Sequence, residues 1–508
     1  MNTAPRAPVS PCLPDGNFAG HLERLARTQG WWDRTAYLVG RESFTFADVH
    51  EGAARAAGAF AARGVGVGSR VWLALPEGIS FIWAFLGALR LGAVVLPVGH
   101  LTGPGRMRAA ALAAPPALAV CDEPLGLPPV AEMPASELTA RQAAPVPWEK
   151  LPAQARAFEC YDVDRADTPC LYAHRHSDTF VFDQATRVAV GLGPTDVCLN
   201  LSPPTTAFGL GNTVLLPLLR GSATVLHDRA APGEDVLSSV QRHGATVLMG
   251  PPSAYDRILG EEGAGRRTPL DSLRKAVIGA EIPSYALGRR LLHRFGSRLL
   301  HVFATPETGH AVWAHRTDSL PTCSRGQVLA PYRLRVVGPD GKDTPVGTQG
   351  QLQVSGTTVG PGTARREGDE PFTQGQWTPT AYAATKDEDG SVWIHERPHR
   401  PAAVPLPVPD RLERLLAEHP AVRETTAHLT RSAREPRLRA YVSLHDTAAD
   451  TERLELIRLA LLTRAHRVLG PAHVPEDIVF VHDPARPADA VHLGASRRDL
   501  ADAMRQTA

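Results

Sequence analysis

Lysine is nearly absent from this chain. Only four of the 54 basic residues are lysines, Lys150, Lys275, Lys342 and Lys386, so none lies between Lys150 and Lys275 and none follows Lys386. A codon bias towards arginine, alanine and proline accounts for the average. It does not supply an amine where chemistry needs one, because the planar guanidinium fork differs in reach and geometry from a point-charge ammonium. Clustered cysteine is missing as well: Cys12, Cys121, Cys160, Cys170, Cys198 and Cys323 stand apart, with no C-x-x-C or Cys/His spacing. That argues against a disulfide framework, provides no metal-ligand set, and points to reduced thiols in a cytoplasmic protein. The formal net charge is only +1, which removes the case for a nucleic-acid or membrane-surface partner. The opening stretch MNTAPRAPVSPCLPDG has no apolar core of a signal peptide, and no run of about 18 apolar residues offers a membrane span. What remains is a small-molecule ligand or a protein partner.

With 508 residues, the chain exceeds what one hydrophobic core supports, so several subdomains are expected. The stretch ESFTFADVHEGAARAAGAFAARGVGVGSRVWLAL reads as a strand edge, an amphipathic helix, a Gly-rich turn and a buried strand at 71–75. SFIWAFLGALRLGAVVLPV repeats the plan, with a helix over 80–90, Gly92 as its stop and a strand over 93–98. The rhythm returns at 196–302, so the spacing predicts two packed, doubly wound α/β subdomains. From about 325, YRLRVVGPDGKDTPVGTQGQLQVSG alternates with period two around a Pro-Asp-Gly turn, which predicts a small antiparallel β subdomain. Five prolines in 397–410 suggest an extended connector. A small α+β lobe follows, with a helix at 410–418 and a strand near 436–444. The expected division is an N-terminal domain of residues 1–400 and a C-terminal lobe of residues 401–508.

Taken in order, RGVGVGSRV, LRLGAVVLPV, AFGLGNTVLLPLLRGSATVL, VVGPDGKDTPVGTQGQLQVSG, KDEDGSVWI and LLAEHPAVRE resemble the adenylate-forming superfamily of acyl-CoA synthetases, adenylation domains and luciferases, nearest to its benzoate-type aryl-CoA ligases. The resemblance implies an enzyme that uses ATP and Mg²⁺ to convert a carboxylate into an acyl-adenylate and then passes the acyl group to a thiol as the C-terminal lobe swings.

The nucleotide tools of that family are altered. After Leu171-Tyr172, where the strand is expected to end, the family has a small, hydroxyl-rich loop closed by lysine; here the chain reads Ala173-His174-Arg175-His176-Ser177-Asp178, with no glycine and bulky rings. Backbone N–H groups reach phosphates only past small residues. In Phe303-Ala304-Thr305-Pro306-Glu307 the aromatic ring and the carboxylate persist, but proline stands where threonine is usual. Where the ribose-binding aspartate is expected the chain has Thr380-Ala381-Tyr382, and a phenol is not a bidentate acceptor. The hinge becomes Glu396-Arg397-Pro398-His399-Arg400, keeping only Arg397 as a cofactor contact, and HDPARPADAVHLGASRRDL holds no C-terminal lysine motif. Each lost electrostatic donor costs on the order of 10²- to 10³-fold in rate, so ATP and Mg²⁺ are not expected as cofactors.

The acyl pocket, by contrast, reads as retained. The resemblance assigns to substrate binding Phe208, Gly209, Gly211 and Asn212 of AFGLGN, Gly279 and Ala280 of GAEIP, and Phe303, Thr305 and Glu307. Turn and helix-packing roles for the glycines are the bland alternative. His174 and His176 are the candidate catalytic residues, since histidine suits acid/base work and an H-x-H on a strand points both rings to one face. An anion contact, a metal ligand or a plain solvated replacement loop stay open, with His301 and His310 as neighbours that could join. The expected function is an aryl/acyl-CoA-ligase-like protein that has lost the ATP machinery and binds an aryl or acyl ligand, free or as a CoA or phosphopantetheine thioester. ATP-independent acyl transfer or condensation in a biosynthetic pathway would follow. A true ligase with an unorthodox nucleotide site and a non-catalytic partner protein are the alternatives. An acyl carrier protein, a pathway enzyme or a second copy in a homodimer are the candidate macromolecular partners.

Overall fold

A computed structural model describes residues 15–99, 107, 110–112, 114–127, 129–138, 144–152, 154–162, 170–226, 233–263, 270–283, 285–315, 325–360, 376–395, 409–430, 437–446, 450–469, 475 and 477–481. The expected boundary at 400, the hinge at 396–400 with Arg397, and HDPARPADAVHLGASRRDL lie outside the described residues.

The first βα repeat builds a six-stranded sheet. Its order is Glu132–Pro134, Leu118–Cys121, Arg70–Ala74, Val94–Pro97, Arg156–Asp162 and Cys170–Arg175, all parallel except the last pair. Helix Phe46–Ala61 begins at a capping box between Thr45 and Asp48, which meets orphan N–H groups of its first turn. It packs on helix Ile79–Arg90 through small residues: a Cβ at Gly87 would stand 2.8 Å from Ala56 Cβ and 2.9 Å from the Ala53 carbonyl.

The second repeat forms the parallel half of a 13-stranded sheet, with Leu299–Ala304, Lys275–Ile278, Val247–Gly250, Val197–Asn200, Ala223–Leu226 and Thr35–Val39 side by side. The antiparallel strands are continuous with this sheet and do not form a separate layer. Leu299–Ala304 pairs with Ala311–His315, and pairing continues through Arg325–Val328, Val392–Ile394, Thr378–Lys386 and Gln349–Ser355 to Arg333–Val337. Short parallel strands and an antiparallel ladder thus share one hydrogen-bonded ribbon, and every strand but the two edges has its backbone met on both sides.

Residues 409–481 carry a three-stranded sheet of Val422–Thr430, Arg437–Leu444 and Asp477–Phe480 with helices Pro409–Ala417 and Thr451–Leu469. Their apolar faces bury a core of their own around Leu412, Leu416, Val442, Leu461 and Ile478. Cys121, Cys160 and Cys198 are buried free thiols, and among the described residues no helix is long and apolar enough to cross a membrane.

Gly87 allows a test of packing against propensity. Gly→Ala inside a helix gains about 1 kcal/mol of propensity, whereas overpacking a filled contact costs about 1–3 kcal/mol. With backbone atoms already inside 3.0 Å, the clash should win: Gly87→Ala should lower the urea midpoint, and an unchanged or raised midpoint would show that the helix pair is looser than described.

Candidate functional site

The strand expected to end at Tyr172 runs on to Arg175, because Arg156 pairs with Arg175 in the antiparallel ladder and no glycine interrupts it. Only His176 and Ser177 separate it from helix Asp178–Arg187. Asp178 explains the tightness. Its buried carboxylate accepts the Arg175 backbone N–H at 2.9 Å and Arg175 Nε at 3.0 Å. The same guanidinium donates to Gln154 Oε1 at 2.7 Å and to the Thr357 carbonyl. Burial raises the Asp178 carboxyl to about 6 and the Arg175 guanidinium works against that rise. The His176 backbone N–H donates to the Ala155 carbonyl at 3.3 Å. The backbone N–H groups of Arg175 and His176 are therefore bonded inside the chain.

The histidines are not in a solvated replacement loop, since both rings are buried. His174 Nε2 donates to the Pro306 carbonyl at 3.0 Å, and its ring lies between Phe158 and Phe182, at centroid distances of 5.1 and 5.7 Å. His176 lies outside the strand and turns elsewhere: its Nδ1 accepts the N–H of Phe18 at 3.1 Å, at the start of helix Phe18–Thr28. Burial lowers both imidazoles to about 4, opposed in His174 by the Pro306 hydrogen bond. They are neutral at physiological pH, and neither is exposed to a ligand arriving from solvent. Among the described residues no group of three or more His, Cys, Asp or Glu side chains is arranged to hold a metal ion.

His310 joins this cluster and His301 does not. Phe182 stands 6.2 Å from His310, which stacks on Phe208 at 6.1 Å and 21°. A ladder of rings, Phe158, His174, Phe182, His310 and Phe208, thus crosses from the first sheet to the second. Gly309, at φ +71°, lets it close, since a Cβ there would meet Phe182 at 2.4 Å and His174 at 2.7 Å. His301 instead faces Trp313 and bonds the Glu281 carbonyl.

Of the candidate pocket residues, Gly211, Asn212, Gly279 and Ala280 gather around Phe208 and His310. Gly279 lies against its ring, where a Cβ would come within 2.6 Å, and Ala280 is the one non-glycine residue at positive φ among those described, at +68°. Such backbone strain concentrates at ligand sites. Gly209 abuts the Pro203 carbonyl and Gly211 the His310 ring. Asn212 is buried and holds His310 Nε2 with its Oδ1 at 3.3 Å. Thr305 is buried, its N–H donating to Thr308 Oγ1 at 3.0 Å; Glu307 is buried in the same loop. Phe303 contacts Tyr382 edge-on at 4.8 Å and is set apart from the Phe208 group.

The model of the AMP-binding enzyme family matches residues 22–174 and 169–363. The chain belongs to that family. It is 30% identical over 429 residues to the p-hydroxybenzoic acid–AMP ligase FadD22 of Mycobacterium tuberculosis, covering 83% of this chain and 60% of that protein. The chain therefore spans about 60% of the length of that relative. It is 25% identical over 403 residues to the 4-hydroxybenzoate–CoA/benzoate–CoA ligase of Rhodopseudomonas palustris, covering 74% of each. A benzoate CoA ligase from Burkholderia xenovorans LB400 shares the fold, with a TM-score of 0.76 at 22% identity over 95% of this chain and 99% of that one. The anthranilate CoA ligase AuaEII, solved with anthranoyl-AMP, gives 0.78 at 21% over 98% and 99%. The chain is thus a member of the AMP-binding enzyme family that is similar to aryl-CoA and aryl-AMP ligases.

Within that family frame, the residues sequence reasoning passed over are Phe158, Phe182, Gly309 and the Asn212–His310 bond. Only Gly309 carried a signal, as a glycine directly after Thr-Pro-Glu-Thr. The ring of Tyr382, in place of the expected ribose carboxylate, packs on Phe303.

Two outcomes are expected. Removing one partner of a buried ion pair costs about 3–5 kcal/mol, so Arg175→Ala should destabilise by that amount in urea melts, and Arg175→Ala/Asp178→Ala by less than the sum of the single changes; additive losses would separate the two side chains. Burial holds His50, His174, His176, His310 and His315 near 4 against an ordinary 6.5. Each is neutral when folded and protonated when unfolded between those values, so its contribution is full above pH 6.5 and is lost as pH falls towards 4. Asp178, raised from 3.8 to about 6, has the opposite sign: its contribution is present at low pH and lost as pH rises through 6. The histidines outnumber it, so unfolding near pH 5 should take up about three to four protons. A flat stability profile between pH 7 and 5 would contradict their burial.

Proposed function

We propose that this ligase-like protein binds an aryl or acyl carboxylate, free or as a CoA or carrier thioester, without running the ATP-dependent adenylation typical of its family. One observation carries the reading: the Asp178 carboxylate takes the Arg175 N–H and guanidinium bonds that a bound phosphate would need, so the chain supplies its own anion at the strand–helix turn. Anion cradles work through unpaired backbone N–H groups and fixed cations, and here the Arg175 and His176 N–H groups are bonded internally. The neighbouring imidazoles are uncharged; His174 carries ring contacts and His176 accepts the Phe18 N–H, which supports positioning roles for His174 and His176 and leaves acyl transfer to other groups. The Arg175 and His176 N–H groups and the Arg175 guanidinium are thus engaged before any triphosphate arrives, which supports the reading without ATP and Mg²⁺. The ring contacts of Phe208 and the glycines beside it support binding of a flat acyl group.

A second reading, an active ligase with an unorthodox nucleotide site, is favoured by the retained Glu307 and by the likeness to a p-hydroxybenzoic acid–AMP ligase. Pyrophosphate release by the full chain, with ATP, Mg²⁺ and a panel of aryl acids, separates the two. The expected result is no release and no thermal stabilisation by ATP and Mg²⁺, with stabilisation by an aryl acid or benzoyl-CoA, since only a ligand that binds the folded state raises its stability. Pyrophosphate release above background would replace the first reading by the second.

A further inference from the structure

The first helix, Phe18–Thr28, begins against the strand–helix turn. N–H groups in a helix's first turn have no intrahelical partner. Asn17 Oδ1 accepts one of them, from Gly20, at 3.2 Å. Another, from Phe18, goes to His176 Nδ1 at 3.1 Å, 158 residues away in sequence. His176 thus caps this helix from a distant part of the chain. Two rings of the helix close on the same turn, Phe18 and His21, which stand edge-on to Phe180 at 6.0 and 5.0 Å. The His176 N–H is bonded to the Ala155 carbonyl, and Asn17 Nδ2 donates to the Glu149 carbonyl at 3.1 Å. Helix start, turn and residues 149–155 are therefore tied to one another.

The tie depends on where one proton sits. An imidazole accepts at Nδ1 only while that nitrogen carries no hydrogen, so the proton of neutral His176 lies on Nε2. The protonated ring has N–H at both nitrogens, which would set one N–H against another across the Phe18 contact. Its Nε2 is buried and has no partner among the described residues, so nothing there would receive the added charge. The charged and titratable groups on the surrounding elements are His21 and Arg24 of the helix, Asp15 before it, Glu149 and Arg156 beside it, and His174, Arg175 and Asp178 of the same strand and turn. Arg24 is paired with Asp15 and Arg175 with Asp178. Burial is what lowers the docked His176 ring, to about 4, whereas a ring in water titrates at about 6.5. The docked state therefore binds the proton more weakly than the released one, so docking is full above pH 6.5 and is lost as pH falls towards 4.

We propose that His176 is an acid-released latch for the first helix: as a neutral ring it caps Phe18 and holds helix, turn and residues 149–155 in one block, and as a protonated ring it lets the start of the helix go. The device does not depend on which ligand the protein takes.

Hydrogen exchange of the full chain at pH 7 and pH 5, corrected for the intrinsic pH dependence of amide exchange, tests it. A peptide covering residues 17–28 should lose protection on the order of tenfold between those values, while a peptide covering Val247–Gly250, in the core of the larger sheet, exchanges more slowly at both. His176→Asn offers an amide oxygen near the Nδ1 position without a titrating group, and should cut the acid-induced loss to below about twofold. Should that variant fail to fold, His176→Phe removes the acceptor altogether: residues 17–28 should then be less protected already at pH 7 and change by less than about twofold at pH 5. Full protection of the His176→Phe peptide at pH 7 overturns the latch, as does an unaltered chain whose peptide does not respond to acid. Equal exchange rates in the two peptides mean unfolding of the whole molecule and overturn it too. A tenfold loss that persists in His176→Asn places the release on another group, such as His21, and also overturns it.

Discussion

A carboxylate excluded from water has to be met by the chain around it, and Asp178 organises its neighbourhood for that reason. Burial opposes its ionised form, and the opposing bonds come from residue 175, three positions earlier, through backbone N–H and guanidinium together. That reach is possible only if strand and helix are joined without an intervening loop. Once they are, the guanidinium extends to Gln154 and to the Thr357 carbonyl, and the connection is tied both to the first sheet's approach and to the antiparallel ribbon.

From this junction two histidines leave in different directions. His174 bonds the loop that carries Thr305 and Glu307, and His176 bonds the start of the first helix. Each makes its bond as a neutral imidazole. Aromatic pairs contribute about 0.5–1.5 kcal/mol each beyond the area they bury. The ladder from Phe158 to Phe208 therefore joins the first sheet to the helix and loop beside the second by packing.

The same ladder ends at a place of different character. Around Phe208 the chain keeps glycines whose neighbours leave no room for a side chain, a strained Ala280, and an amide–imidazole pair with bonding capacity unused. An unmet buried polar atom costs about 1–3 kcal/mol, and Asn212 Nδ2 and His310 Nδ1 both lack a partner among the described residues.

The sequence by itself determined the architecture. Its 2.0 and 3.6 periodicities, Gly92 as a helix stop and the Pro-Asp-Gly turn are local signals, and local signals survive translation into strands and helices. It also determined which amines are absent, since a census does not depend on alignment. The sheet continuity between the parallel and antiparallel parts was not legible, because strand pairing across Leu299–Ala304 and Ala311–His315 is a tertiary hydrogen-bond pattern. Nor was the burial of His174 and His176, since polar residues default to the surface unless a partner removed in sequence, Pro306 or Phe18, receives them. Asn212 and His310 stand 98 residues apart. Only the packing of helix, loop and sheet brought them together.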